Sequence, residues 1–114
     1  MLNYQELPRS DYASDFAYIE MKTTREGRYI QLAEELIEAA HACMKVARAM
    51  QGESYLQEEM PKLLDNLTEE FTDIEVVKSS LRFKDFDTDV FDRKVNRWVK
   101  RLEDAEELND KETE

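Results

Sequence analysis

Two glycines, two prolines, one cysteine and one histidine are all that this 114-residue chain holds of the residues that punctuate, staple or ligate. Each scarcity excludes something. A β architecture needs turn residues between many short strands, and they are missing. A GxGxxG or Walker A phosphate loop cannot be written with glycines only at 27 and 52. Cys43 alone makes neither a disulfide framework nor a cysteine zinc site, and His41 alone excludes an HExxH metal motif. Apolar runs are only a few residues long, so no membrane-spanning segment is expected. The N-terminus, MLNYQELPRSDYASD, is too polar for a signal peptide. A net charge of −11 speaks against a nucleic-acid-binding surface. What is present is a 41% hydrophobic, 38% charged and 10% aromatic composition, which suits a packed core. The length suits one domain. The expectation is a single all-α, acidic, cytoplasmic protein.

Periodicity divides the chain into four helices. Residues 1–10 read as a loose N-terminal arm. Tyr12, Phe16 and Ile19, spaced 4 and 3, predict a first helix over 11–22, with Ser10 as its cap. Thr23 with Glu26 has capping-box spacing and opens a second helix that Gly52 stops near Met50. A polar connection over 51–61, with a helical turn around Tyr55–Met60, leads to Pro61 at the start of a third helix over 61–83. Phe91, Val95, Trp98 and Leu102, spaced 4, 3, 4, predict a fourth helix over 88–107. The charged residues 108–114 read as a disordered acidic tail.

Two glutamates stand in the wrong place. The third helix carries a seam of Leu63, Leu67, Glu70, Ile74, Val77 and Leu81, apolar except at Glu70. The second helix carries Leu32, Glu35, Ala39, Ala42 and Val46, again with one glutamate inside. A carboxylate in a core seam must be neutralised, paired or bound to a cation. Each has an acidic neighbour three residues on, Glu38 and Asp73, on the same side of its helix. If the two helices pack side by side, four carboxylates converge. Oxygen donors without His or Cys select Mg²⁺, Mn²⁺ or Ca²⁺. The competing reading is plain. With 27 acidic residues in 114, ExxE and ExxD arise by chance, as Glu103 with Glu106 does on a solvated face.

The blocks QLAEELIEAAHACMKVAR (31–48) and NLTEEFTDIEVVKSSL (66–81) resemble the MazG-like nucleoside triphosphate pyrophosphohydrolases, phage-type branch, whose pattern is EExxE followed by ExxD. Here EELIE is Glu34–Glu38 and EFTD is Glu70–Asp73. KVNRWVKRL (94–102) is similar to the family's last helix, and the resemblance covers about 25–102. It implies a four-helix bundle-like subunit assembled as a dimer or tetramer. The implied activity is hydrolysis of a nucleoside triphosphate between the α and β phosphorus atoms. The resemblance implies Mg²⁺, with Mn²⁺ as a substitute, on Glu35, Glu38, Glu70 and Asp73. Glu34 would be a supplementary ligand or the group that orients the water. Lys45 and Arg48, on the Glu38 face, and Lys94 and Arg97, on one face of the last helix, are the candidates for phosphate binding. His41 on the polar face, Trp98 in the apolar seam and Cys43 as a small buried hydrophobe are read as structural. The alternative function is a catalytically silent helical module that binds a nucleotide or a protein.

Overall fold

The computed structural model describes residues 12–52 and 59–113, and among these every regular element is helical. The helices are α1 (Ala13–Lys22), α2 (Arg25–Met50), α3 (Met60–Leu81) and α4 (Thr88–Thr113). The arm at 1–10, the Ser10 cap and most of the expected turn from Tyr55 lie outside the described residues. No helix among those described is long and apolar enough to cross a membrane. The chain divides into two compact units, Met1–Phe83 and Lys84–Glu114.

The first unit is built on the packing of α2 against α3, with α1 resting on α3. The seams read from the sequence form its core. Leu32, Ala39, Ala42, Val46 and Ala49 are buried on α2, and Ile74, Val77 and Leu81 on α3. Burying such side chains stabilises by roughly 1.5–3 kcal/mol for each large aliphatic one. Alanines at 39, 42 and 49 let the two backbones approach closely. Tyr29, near the start of α2, lies 6.3 Å from the ring of Phe83, just past the end of α3. The two helices therefore run antiparallel.

The helix starts differ from their expected chemistry in one place. Thr24, not Thr23, caps α2, and its Oγ1 accepts a hydrogen bond from the Gly27 N–H at 3.0 Å. Thr23 instead closes α1. Its backbone N–H and its Oγ1 both donate to the Ile19 carbonyl, at 3.1 and 2.7 Å. The spacing to Glu26 could not tell adjacent threonines apart; the extended backbone of the Thr24 cap does. Gly52 stops α2 as expected, with a φ of 96° that suits glycine. Pro61 stands in the first turn of α3, which starts at Met60. Arg82 ends α3 in the left-handed region, and its Nε pairs with Glu20 of α1 at 3.0 Å.

The second unit begins with a well-defined helix start. Val90 N–H donates to Asp87 Oδ1 at 3.1 Å, the geometry of an N-cap. Phe86 and Phe91 touch, with ring centroids 5.4 Å apart, as a hydrophobic staple across that cap. Lys84 Nζ donates to Asp87 Oδ2 at 2.8 Å. This cation, then the Val90 amide, holds the Asp87 carboxyl below the usual range. The helix does not stop near residue 107. It runs to Thr113, so residues 108–113 are helical rather than a disordered tail. Glu106, Glu107 and Leu108 are competent helix formers, and nothing in ELNDKET breaks the backbone pattern.

A candidate metal centre between two helices

The antiparallel packing of α2 on α3 places the two anomalous glutamates together. One carboxylate oxygen each from Glu35, Glu38 and Glu70 lies within 4.8 Å of the others. Glu35 and Glu70 are half-buried, and Glu38 is exposed. The sequence explains the difference. Glu35 and Glu70 stand in the buried seams, while Glu38 lies beside its seam, one turn on. Asp73 is not one of the three. It is exposed, yet its charge acts on both Glu35 and Glu70, so it borders the cluster.

The electrostatics are those of a site short of positive charge. Desolvation, first, pushes the Glu35 carboxyl above its ordinary value. The charges of Glu38, Asp73 and Glu34 add to it, and a proton shared with Glu38 adds further. Glu70 is raised likewise, by desolvation first and then by Glu38, with smaller contributions from Asp73 and Glu35. Among the described residues, Glu35 Oε2 and Glu70 Oε2 are buried without a hydrogen-bond partner. A buried carboxyl oxygen without a partner is costly, so each of these two is an anomaly of the packing. The all-oxygen donor set suits a hard divalent ion.

The other candidate residues are placed as follows. Glu34 is exposed on α2, near enough for its charge to act on Glu35. Lys45 and Arg48 are exposed and continue the Glu38 face of α2, about two and three turns on. Lys94 and Arg97 are exposed on α4, in the second unit. His41 is exposed too. Cys43 corrects its expectation: it is exposed rather than buried. The seam of α2 that packs on α3 runs through Ala39, Ala42 and Val46, and Cys43 falls one step outside it.

One residue that the sequence reading passed over is Arg28. It extends the α2 seam by one step of four, as a cation where Glu35 is an anion. It is 8% exposed, and its Nε has no hydrogen-bond partner. Its Nη1 donates to Thr23 Oγ1 at 2.8 Å. Thr23 is the C-cap of α1, and the neighbouring Tyr29 meets Phe83 just beyond α3. The guanidinium thus sits at the negative, C-terminal end of α1, which offsets part of its desolvation. That makes Arg28 a structural cation of the corner rather than part of the acid cluster.

No protein-family model matches the chain, and no curated protein and no solved structure matches it.

Proposed function

We propose that this chain is a MazG-like, Mg²⁺-dependent nucleoside triphosphate pyrophosphohydrolase, acting in the cytoplasm on the nucleotide pool. One observation carries the reading. Two helices with independently anomalous glutamates bring three carboxylates within 4.8 Å, and two of their oxygens are buried and unsatisfied. No lysine or arginine is among the groups that act on Glu35 and Glu70, which supports a divalent cation over a structural ion-pair network.

Glu35, Glu38, Glu70 and Asp73 are the residues that would hold Mg²⁺, with Mn²⁺ as a substitute. Bound there, the cation supplies charge neutralisation and polarisation of the phosphoryl oxygens. The chain's own side chains account for the rest. Glu34, next to Glu35 and exposed, would orient a water molecule or serve as a supplementary ligand. That water adds its oxygen to the α-phosphorus, and the α–β bridging oxygen departs with pyrophosphate, leaving the nucleoside monophosphate. Lys45, Arg48, Lys94 and Arg97 are the candidates to meet the triphosphate charge that the metal leaves over. Exposed Ile30, Ile37 and Met44 on α2 support a homo-oligomer, a dimer or a tetramer. The net charge of −11 leaves nucleic acid and anionic membranes as poor partners.

Pyrophosphate release from a panel of ribo-, deoxy- and damaged-base triphosphates, with Mg²⁺ or with chelator, tests the proposal. Mg²⁺-dependent release that Glu70→Gln abolishes is the expected result. Absence of release across the whole panel, from protein that binds Mg²⁺, would move the chain to a nucleotide-binding module.

A further inference from the structure

α4 carries an apolar seam of Phe91, Val95, Trp98 and Leu102, and these side chains are between 43% (Val95) and 65% (Trp98) exposed. Ala105 continues it by one step of three. On a wheel at 100° per residue, the residues beside this seam are sorted by sign. Asp92, Glu103 and Glu106 line one edge, and Lys94 and Arg101 line the other, with Arg97 further round towards the back, beside Asp104. Lys100 and Asp104, paired at 3.4 Å, lie on the back of the helix. A helix with one acidic and one basic edge beside an apolar stripe complements itself in one orientation only. When two copies lie parallel, the basic edge of each faces the acidic edge of the other. When they lie antiparallel, like edges meet.

We propose that α4 pairs in parallel with α4 of a second copy of this chain, Trp98 against Trp98, with Arg101 of each copy facing Glu106 of the other. Phe91, Val95, Trp98 and Leu102 then occupy the alternating d and a positions of a heptad repeat. Arg101 falls at g and Glu106 at the following e, the relation across which parallel coiled coils form interhelical ion pairs. Within one helix, residues 101 and 106 lie on opposite sides of the seam and do not face each other. An anionic surface or an acidic peptide fits less well, because the acidic edge would repel it. This pairing names the surface and orientation of the homo-oligomer proposed above. Lys94 is shared with the candidate phosphate-binding set, so the test uses Arg101 and Glu106, which belong only to the pairing.

Sedimentation equilibrium of the full chain and of Arg101→Glu, Glu106→Arg and the double reversal decides it. The wild type associates. Each single reversal turns two symmetric attractions into repulsions and weakens association about tenfold. The double reversal restores it, because the edges are complementary again with signs exchanged. In a Cys43→Ser background, Leu102→Cys oxidises to a 102–102 disulfide, since in-register parallel helices bring equivalent a positions within disulfide reach. A monomeric wild type, single reversals without effect, or a double reversal weaker than either single would each overturn the pairing. The last outcome would point to α4 docking elsewhere. Hydrolysis by the wild-type chain, measured separately, keeps the enzymatic reading distinct from this one.

Discussion

Glu70 and Glu35 are held in a state that suits neither a core nor a surface. Each is half-buried, each faces other carboxylates, and each has a carboxyl raised above its ordinary value, by desolvation first. Glu70→Gln keeps the shape and removes the charge. It should abolish hydrolysis and weaken Mg²⁺ binding by at least about tenfold, since even residues that only support metal ligands are worth that much. The metal-free variant should melt no lower than the wild type. A clear loss of metal-free stability, with Mg²⁺ binding intact, would make Glu70 a structural residue. A second expectation concerns pH. A carboxyl whose folded pKa lies above its unfolded value favours the fold while protonated, and that contribution is lost as pH rises through the folded pKa. Lowering the pH from neutral towards 4.5 should therefore narrow the gap in melting temperature between metal-free wild type and Glu70→Gln. Over the same range, protons compete with the cation, and the Mg²⁺-induced shift of the wild type should shrink. A gap that is flat across this range would mean that Glu70 ionises normally.

At the scale of the element, α2 shows how a local rule is overridden by its neighbour. Gly27 lies inside a 26-residue helix, where alanine is normally better by up to about 1 kcal/mol. A Cβ on Gly27 would sit 2.9 Å from Thr24 Oγ1, the acceptor that caps the helix through the Gly27 N–H. Gly27→Ala should gain less than the helix scale promises, because the cap must shift to admit the methyl group. Chemical denaturation reads this directly, and a full gain would show that the cap rearranges freely. For α4, the continuous helix to Thr113 changes the reading of the C-terminus but not its expected importance. Its last residues are exposed and carry Asp110, Glu112 and Lys111. Removing 109–114 should lower far-UV helicity by about five residues' worth and leave hydrolysis unchanged. A large loss of hydrolysis would give this last turn a role at the site.

For the whole molecule, the governing quantity is a net charge of −11 on a small chain. Any salt screens that repulsion, so stabilisation by Mg²⁺ alone proves little. A specific site adds the binding free energy of the folded state. At an Mg²⁺ concentration about 100-fold above Kd, the melting temperature should rise on the order of 10 °C beyond NaCl of equal ionic strength. Equal shifts in the two salts would reduce the acid cluster to a diffuse counterion effect.

The amino-acid sequence by itself determined the helical architecture, the two packing seams and the two glutamates out of place in them. These follow from a short repeat, hydrophobic residues at 3 and 4 spacing, which local geometry converts directly into buried faces. It could not decide whether the two anomalies meet. Nothing local to 31–50 or to 61–81 fixes their relative register. The antiparallel packing of α2 on α3 does, by clustering Leu32 and Ala39 with Ile74, Val77 and Leu81, and so brings Glu35 and Glu38 to Glu70. The same limit explains the smaller differences. Which threonine caps α2 depends on the backbone angle between two helices, and the burial of Arg28 depends on the turn that α1 makes onto α2. Cys43 lies outside because the partner helix covers only one stripe of a helix that is apolar over a wider arc. Periodicity is a property of the segment, whereas contact belongs to pairs of segments, and only the tertiary structure chooses the pairs.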